Sequence, residues 1–257
     1  MTEFKGRHIL VTGASTGIGR ATAAMLARRG ARVSLVARSE ATLAQAVADI
    51  RSAGGTAAFG VADVADKAAL LSVIDTAEGA FGPIEGLFAN AGTGGAFASF
   101  ADYDDDAFDA VMTTNLTSVF WAMKRVLPGM IARKRGAILV TGSLASERGM
   151  AGNPAYVASK HGLLGLARAA AMDVAAHNVR VNALLPGLIE TPLLNNLGGD
   201  DPAALIAALG RNVPQGRVGK AEETAEVATF LLSDAASHVT GQAWAVDGGI
   251  LGTLAVR

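Results

Sequence analysis

The sequence predicts an α/β fold in which one mostly parallel sheet of seven strands carries helices on both faces. Seven short apolar segments alternate with longer segments of helical periodicity, and this alternation is typical of doubly wound sheets. No linker or break in composition divides the 257 residues, so we expect a single domain. Hydrophobic residues make up 51% of the chain and glycines number 31, which suits a large buried core joined by tight turns.

The first part of the chain contains four predicted strands separated by helices. The apolar run at residues 9–11 is too short for a helix and too continuous for an exposed strand, so it indicates a buried parallel strand. Three helices follow in turn and end at Gly30, Gly54 and Gly82, because glycine readily terminates helices. The next three strands lie in ARVSLVARSE, TAAFGVADV and IEGLFANAG.

The second part of the chain supplies three more strands. Residues 100–136 predict helix before the fifth strand, AILVTGS. A long helix begins at Pro154, because proline suits a first helical position and apolar residues then dominate. The sixth strand, NVRVNALLPG, follows it. After an irregular stretch come the helix AEETAEVATFLLSD and the last strand, QAWAVDGG.

Charge and composition exclude several classes of function. The net charge of −1 gives no electrostatic reason to expect a nucleic acid or an anionic membrane as a partner. The chain has no cysteine, and its four histidines show no ligand spacing, so no metal is expected. No apolar stretch approaches the ~20 residues of a membrane span, and the start of the chain does not resemble a signal peptide. We therefore expect a cytoplasmic protein.

A glycine-rich turn follows the first strand. Gly13, Gly17 and Gly19 allow backbone to approach a phosphate closely, and the helix that begins there offers free N–H groups and a partial positive charge. The spacing is G-x-x-x-G-x-G rather than the usual G-x-G-x-x-G. A tight turn without a ligand is the alternative, and the turn alone does not decide between them.

The residues with informative chemistry fall at the carboxyl ends of the predicted strands, where ligands of such sheets bind. In strand order they are residues 13–19, Arg38, Asp63, Asn90, Ser143 and Pro186-Gly187. Because parallel strands end at the same edge of a sheet, we expect these groups to share one site. This coincidence is more specific than any one motif.

The end of the second strand distinguishes between two dinucleotides. A carboxylate there would bind the ribose hydroxyls of NAD, whereas an arginine accommodates the 2′-phosphate of NADP. The chain has Arg38, whose guanidinium can pair with a phosphate, and Ser39, which adds a hydroxyl. The sequence therefore predicts NADP(H), with NAD(H) second. An exposed arginine that starts a helix is the alternative reading.

A Tyr-x-x-x-Lys pair lies on the helix that begins at Pro154. Tyr156 and Lys160 are four residues apart and therefore adjacent on one helix face. A nearby ammonium favours the phenolate, so Lys160 is expected to lower the pKa of Tyr156 from its usual ~10. Such a tyrosine can exchange a proton with an alcohol or a carbonyl oxygen, and the hydroxyl of Ser143 can bind the same oxygen.

In these motifs the chain resembles the classical short-chain dehydrogenase/reductase family over nearly its whole length. The matching parts are TGASTGIG, Asp63-Val64, Asn90-Ala91-Gly92, Asn115, Ser143, Tyr156, Lys160, Pro186-Gly187 and Thr191. The branch it most resembles contains bacterial 3-oxoacyl-carrier-protein reductases and sugar or secondary-alcohol dehydrogenases. The resemblance implies a Rossmann-type fold and an oxidoreductase that interconverts a secondary alcohol and a ketone by hydride transfer.

The resemblance also implies a role for each matching residue. Tyr156 would be the general acid/base, Lys160 would hold the nicotinamide ribose, and Ser143 would orient the substrate oxygen. Asn115 would bind a water that links Lys160 to solvent. The residues that would contact the dinucleotide, besides Tyr156 and Lys160, are Gly13, Ser15, Thr16, Gly17, Ile18, Gly19, Arg38, Ser39, Asp63, Val64, Asn90, Ala91, Gly92, Pro186, Gly187, Ile189 and Thr191.

One departure from the family bears on the cofactor. Relatives that prefer NADP often carry a basic residue just before the second glycine of the turn, where this chain has Thr16. The prediction of NADP(H) therefore rests on Arg38, helped by Ser39.

Residues 191–215 would form a lid over a small-molecule substrate, and the resemblance alone implies a homotetramer or a homodimer.

Two other functions are compatible with parts of the sequence. Residues 13–17 match G-x-S-x-G, so Ser15 could be the nucleophile of a serine hydrolase, with Asp173 and His238 following in the required order. The match comes too early in the chain and leaves Tyr156 unexplained. A dinucleotide sensor without catalysis is the second alternative, although a sensor has no need of an acid/base set.

Overall fold

A computed structural model gives the fold and describes residues 3–195 and 201–253. In these ranges nine strands occur, which in chain order are β1 (His8–Thr12), β2 (Arg32–Ala37), β3 (Thr56–Val61), β4 (Gly86–Ala89), β5 (Gly136–Thr141), β6 (Val179–Pro186), β7 (Ile189–Glu190), β8 (Gly219–Lys220) and β9 (Ala243–Val246). The α-helices of the same ranges are α1 (Gly17–Arg28), α2 (Glu40–Ser52), α3 (Lys67–Phe81), α4 (Asp105–Met112), α5 (Ser118–Arg133), α6 (Pro154–Val174), α7 (Pro192–Asn195), α8 (Pro202–Gly210) and α9 (Ala221–Leu232).

Seven of these strands form one sheet in the order β3-β2-β1-β4-β5-β6-β9, and every neighbouring pair is parallel. The chain builds the sheet outward from β1 in one direction and then from β4 in the other. The crevice between β1 and β4 is therefore the switch point at which such folds bind ligands. The predicted seven-stranded, doubly wound sheet is confirmed, and β7 and β8 form a separate two-stranded sheet.

The hydrophobic core lies in two layers, one on each face of the sheet. In β1, Leu10 packs in the layer that contains α3, α5 and α6, whereas Ile9 and Val11 pack in the layer that contains α1, α2 and α9. All five residues of β1 are buried, because a parallel strand between two helical layers has no solvent-facing side. This burial explains the continuous apolar runs of the sequence.

The region of residues 100–136 differs from the single helical stretch that the sequence predicts. It contains a 3₁₀ turn (Phe100–Asp102) and then α4 and α5, which are joined by one turn of π-helix at Thr113–Thr117. The buried Asn115 lies in this π-helical turn and is hydrogen-bonded to a neighbouring loop. Such insertions depend on tertiary contacts and have no periodicity of their own.

Two strand ends also differ by one or two residues from the prediction. The fifth strand ends at Thr141, and Ser143 caps the following 3₁₀ turn by accepting a hydrogen bond from the N–H of Ala145 at 3.2 Å. The sixth strand ends at Pro186, one residue before the end of the predicted segment NVRVNALLPG. The predicted lid at residues 191–215 contains α7 and α8, while residues 196–200 lie outside the described ranges. Among the helices in those ranges, none combines the length and apolarity needed to cross a membrane.

Candidate active site

Three of the predicted catalytic side chains meet beyond the carboxyl end of β5. Tyr156 and Lys160 lie one turn apart on α6, and the Lys160 ammonium is 5.6 Å from the centre of the Tyr156 ring. Lys160 also donates a hydrogen bond to the carbonyl of Thr141 at 2.7 Å. The hydroxyl of Ser143 lies near the phenol of Tyr156 and acts to lower the pKa of that phenol. The carboxyl end of β5 and the start of α6 therefore hold a phenol, a hydroxyl and an ammonium together.

The start of α6 fixes where Tyr156 lies. Asn153 is the N-cap, and its side-chain carbonyl accepts a hydrogen bond from the backbone N–H of Tyr156 at 3.2 Å. Pro154 occupies the first turn, where a missing N–H costs nothing. Tyr156 is thus placed in the first turn of a 21-residue helix by an ordinary capping interaction.

The electrostatics of Tyr156 correct one prediction. Burial raises the pKa of Tyr156, because a buried phenolate loses its hydration, and the hydrogen bond from Ser143 opposes this rise. The expected lowering by Lys160 does not determine the direction, because the effect of burial is the larger. Burial also lowers the pKa of Lys160 to about 8. Tyr156 is therefore a protonated phenol near neutral pH.

Asn115 is buried next to these groups. Its side-chain carbonyl accepts from the N–H of Thr93 at 2.8 Å, and its amide donates to the carbonyl of Thr93 at 3.0 Å and to the hydroxyl of Ser159 at 3.2 Å. A Cβ built on Gly92 would lie 3.2 Å from the Asn115 oxygen and 3.6 Å from the Lys160 ammonium. The side chain of Asn115 is thus occupied by protein groups, so the predicted contact with a water would fall to its backbone.

The glycine turn lies beyond β1. Gly13 and Gly17 have φ values of +63° and +53°, which disfavour any other residue. A Cβ on Gly19 would lie 2.2 Å from the carbonyl oxygen of Gly13, so the first turn of α1 packs directly against the loop. Ser15 is partly exposed and Thr16, the N-cap of α1, makes no side-chain capping bond. The free N–H groups of α1 and this compact loop are suited to a diphosphate.

The ends of β2 and β3 bring a cation and a carboxylate together. The side chain of Arg38 is 80% exposed, and its guanidinium is 3.9 Å from the Asp63 carboxylate. The hydroxyl of Ser39 caps α2 at the long distance of 3.5 Å from the N–H of Thr42. Asp63 accepts a hydrogen bond from the N–H of Ala65 at 2.9 Å, and Val64 is buried. An exposed, weakly paired arginine can turn towards a phosphate.

The loop after β4 is tied to β1 and β5 by polar contacts. Asn90 donates to the carbonyls of Thr12 and Gly13 at 3.2 and 3.3 Å and accepts from the Thr141 hydroxyl at 3.0 Å. The Thr12 hydroxyl accepts the N–H groups of Asn90 and Ala91 at 3.0 and 3.1 Å. Asn90 therefore shapes the crevice between β1 and β4. Thr12 belongs to the sequence motif TGASTGIG, but the motif assigns no role to its hydroxyl.

The segment after β6 closes over the glycine turn. A Cβ on Gly17 would lie 3.1 Å from the Thr191 methyl, so Thr191 contacts this turn. A Cβ on Gly187 would collide with the backbone of Asp247 at 2.6 Å, which explains the glycine after Pro186. Ile189 is buried, and its side chain packs against Gly219 rather than towards the turn. Any contact that Ile189 makes with a dinucleotide would therefore use its backbone.

Two cavities border the same closing segment. One of about 470 Å³ lies between α1 and β8, next to Gly17 and Thr191, and includes Arg20 and Arg28. The other, of about 530 Å³, lies beneath α8. Neither is lined by Tyr156. Within residues 3–195 and 201–253, no group of three or more histidine or carboxylate side chains could hold a metal ion.

The serine-hydrolase alternative is contradicted by the arrangement of the chain. Ser15 lies in the loop beyond the carboxyl end of β1. Asp173 is near the end of α6 and His238 precedes β9, so both belong to the amino edge of the sheet. A nucleophile and its base must be within hydrogen-bonding reach, and here they lie at opposite edges.

Comparisons with known proteins show which proteins this chain resembles over its length. A family model described as enoyl-(acyl carrier protein) reductase matches residues 13–251. The chain is 38% identical over 248 residues to the 3-oxoacyl-[acyl-carrier-protein] reductase FabG of Escherichia coli (strain K12), covering 96% of this chain and 98% of that protein. It is 37% identical over 247 residues to the cyclohexanol dehydrogenase of Acinetobacter sp. (strain SE19), covering 96% of this chain and 95% of that protein.

Two solved structures show the same similarity in three dimensions. Levodione reductase matches with a TM-score of 0.92 at 35% identity, covering 96% of this chain and 98% of that chain. An actinorhodin polyketide ketoreductase with NADPH matches with a TM-score of 0.90 at 32% identity, covering 97% and 98%. Each match includes nearly all of both chains, so the likeness extends well beyond the motifs of the site.

Proposed function

The chain belongs to the short-chain dehydrogenase/reductase family of oxidoreductases, and we propose that it interconverts a secondary alcohol and a ketone with NADP(H) as the preferred dinucleotide. One observation carries the proposal: Tyr156, Ser143 and Lys160 stand at the same sheet edge as the glycine turn. A phosphate-binding turn alone fits many functions. A phenol with a serine hydroxyl and an ammonium beside it, at the same edge as that turn, fits proton exchange with a substrate oxygen.

The residues of this edge fit a dinucleotide, and the bound dinucleotide would supply the hydride. The glycine turn and the N-terminus of α1 would hold its diphosphate, and Arg38 with Asp63 would hold its adenosine end. Ser143 would orient the substrate oxygen, and Tyr156 would donate a proton to it. Lys160 would bind the nicotinamide ribose and add positive charge near the phenol.

The protonation state of Tyr156 favours ketone reduction as the direction. A phenol whose pKa is raised by burial is protonated near neutral pH, and this is the form that can give a proton to a ketone oxygen. Oxidation of an alcohol requires the phenolate instead. We therefore propose reduction at neutral pH and faster alcohol oxidation as pH rises.

The preference for NADP(H) over NAD(H) rests on Arg38. Its side chain is the exposed cation at the end of β2, where a 2′-phosphate would lie. The NADPH in the similar actinorhodin ketoreductase supports the same choice. Asp63 faces Arg38, and its carboxylate could accept a hydrogen bond from the 2′-hydroxyl that is free only in NAD(H), so an NAD(H)-preferring enzyme is the second candidate.

The mouth of the site favours a neutral, apolar ketone. Phe97, Phe100 and Met150 are exposed on the loops after β4 and β5, and Phe97 lies against Gly152, shortly before the start of α6. The similar proteins include a cyclohexanol dehydrogenase and a levodione reductase, and these names support cyclic ketones as first probes.

We propose that residues 191–215 act as the lid and that the enzyme is a homotetramer or a homodimer.

Replacing Tyr156 tests the proposed function. Tyr156→Phe removes the proton donor, so we expect turnover of cyclohexanone to fall by about 10²- to 10⁴-fold while NADPH affinity, followed by fluorescence titration, is kept. Tyr103→Phe is the matched control, because it makes the same change at the chain's other tyrosine. Unchanged turnover in Tyr156→Phe would overturn the mechanism. NADPH binding without reduction of any ketone would favour the sensor.

A further inference from the structure

Asn153 connects the helix that carries Tyr156 to the loop after β4. Asn153 is only 1% exposed. Its side-chain oxygen accepts from the N–H of Tyr156 at 3.2 Å, and its side-chain N–H donates to the carbonyl of Gly94 at 2.5 Å. One partner is a donor and the other an acceptor, so together they fix the orientation of the amide. The oxygen of this buried amide therefore binds the first turn of α6, and its NH₂ group binds the loop after β4.

The loop held by Asn153 is anchored at two further points. The backbone of Thr93 is paired with the buried Asn115, and the N–H of Ala98 donates to the carbonyl of Gly152 at 2.9 Å. The loop thus lies between the π-helical turn and the start of α6. Gly95 follows Gly94 with a φ of +70°, which directs the chain towards the mouth of the site. A shift in this loop and a shift in the first turn of α6 are linked through Asn153.

We propose that Asn153 is a positioning residue, whose single amide sets the phenol of Tyr156 against Ser143 and against the loop that faces the substrate. The inference rests on the function proposed above. It assigns to Asn153 a role beyond capping, because capping needs only the accepting oxygen. The donated hydrogen bond to Gly94 is the additional contact, and asparagine is the N-cap residue that can make both bonds at once.

Asn153→Ser separates the two functions. Serine is as good an N-cap as asparagine, so the variant keeps the bond to the N–H of Tyr156. Its shorter side chain cannot also donate to Gly94, so the tie to the loop is lost. Asp66→Ala is the matched control for a lost cap, because the Asp66 carboxylate accepts from the N–H of Ala69 at 3.0 Å at the start of α3, away from Tyr156.

A spectroscopic experiment tests the proposal without relying on turnover. The chain has two tyrosines, so Tyr103→Phe leaves Tyr156 as the only one, and the buried Tyr103 hydroxyl makes no hydrogen bond within the described residues. Protein labelled with ¹³C at the tyrosine Cζ then gives one resonance. We expect Asn153→Ser in this background to shift that resonance and to move its titration to higher pH, because a weakened Ser143 contact no longer opposes the effect of burial.

The same variants are then compared in thermal unfolding, NADPH titration and ketone reduction. We expect Asn153→Ser to keep the Tm and the Kd of NADPH and to lose about 10- to 100-fold in kcat, as a misplaced acid does. Asp66→Ala should lower the Tm by about 2–4 °C without changing kcat or the resonance. An unchanged tyrosine resonance in Asn153→Ser would overturn the positioning role. A shifted resonance in a protein that reduces no ketone would refute the proposed function and leave the positioning role standing.

Discussion

At the scale of single residues, the choice of dinucleotide depends on how firmly Arg38 is held. Its side chain is mostly exposed, and Asp63, its ion-pair partner among the described residues, is at the limit of ion-pair distance. An exposed pair of this kind contributes little, so Arg38 can leave it at low cost. A 2′-phosphate offers a doubly charged partner with several acceptor oxygens, and a guanidinium binds it better than any other side chain.

Arg38→Ala should therefore change the preference between the two dinucleotides. The loss of a charge-assisted hydrogen bond of about 1.5–3 kcal/mol should raise the Kd of NADPH by roughly 10- to 100-fold, with little effect on NADH. Parallel fluorescence titrations with both dinucleotides measure this. Arg168→Ala, which removes an exposed arginine on α6, should change neither Kd. Equal weakening of both dinucleotides would show that Arg38 supports the site generally and does not read the phosphate.

The proximity of the candidate site residues was predictable from the sequence, but their electrostatics were not. The four-residue spacing of Tyr156 and Lys160 on a helix predicts their proximity, and the structure has it. The direction of the Tyr156 pKa depends on burial, which arises only in the folded chain. The bond from Lys160 to the carbonyl of Thr141 likewise joins two elements that are distant in sequence. Local patterns carry no information about such contacts.

At the scale of elements, the turn between β1 and α1 works because three backbones approach one another closely. A Cβ on Gly19 would lie 2.2 Å from the carbonyl oxygen of Gly13 and 2.7 Å from the amide nitrogen of Asn90. Neither contact can yield, because Asn90 is itself bonded to β1 and β5. The glycine is therefore required by the contact between a helix and two strand ends.

Gly19→Ala should damage both the fold and the site. We expect it to lower the free energy of unfolding by about 1–3 kcal/mol, through overpacking, and to abolish NADPH binding at concentrations that saturate the wild type. Gly79→Ala is the matched control, since a Cβ at this exposed position of α3 meets nothing within 4 Å. It should stabilise the protein by about 0.5–1 kcal/mol. Urea unfolding and NADPH titration measure both, and equal effects would refute the steric argument.

The sequence predicts elements well where a strand or a helix buries a continuous face. It predicts β1 and β6 because strands between two helical layers are apolar throughout. It does not predict the π-helical turn at Thr113–Thr117, which depends on the pairing of Asn115 with Thr93. It also does not predict the pairing of β7 with β8, since each is only two residues long and has no periodicity.

At the scale of the whole molecule, the two edges of the sheet have different tasks. The carboxyl edge carries the proposed site. The amino edge carries buried polar groups that hold the end of α9: Arg7 donates to the carbonyl of Leu232 at 3.3 Å, and Arg180 donates to those of Leu231 and Ser233 at 2.8 Å. These cations satisfy carbonyls that a helix end leaves without partners. Stability and chemistry can therefore be altered separately.

His8 belongs to the amino edge and is fully buried. One ring nitrogen is 2.7 Å from the carbonyl of Gly82 and must donate to it, and the other is 2.8 Å from the Ser34 hydroxyl and accepts from it. Both nitrogens are thus used by the neutral ring. Burial lowers the pKa of His8 below its usual value, because the charged ring would lose its hydration.

This arrangement predicts the stability of the protein in acid. Below the unfolded-state pKa of about 6.5, the unfolded chain takes up a proton at residue 8 that the folded chain does not, so stability falls as pH falls. The loss should approach about 1.4 kcal/mol per pH unit for this one group. Urea unfolding between about pH 7 and pH 5 should therefore show a shallower pH dependence for His8→Gln than for the wild type. His161→Gln, which removes an exposed histidine on α6, should follow the wild type. A His8→Gln variant that loses stability in acid as steeply as the wild type would show that His8 is not the group responsible.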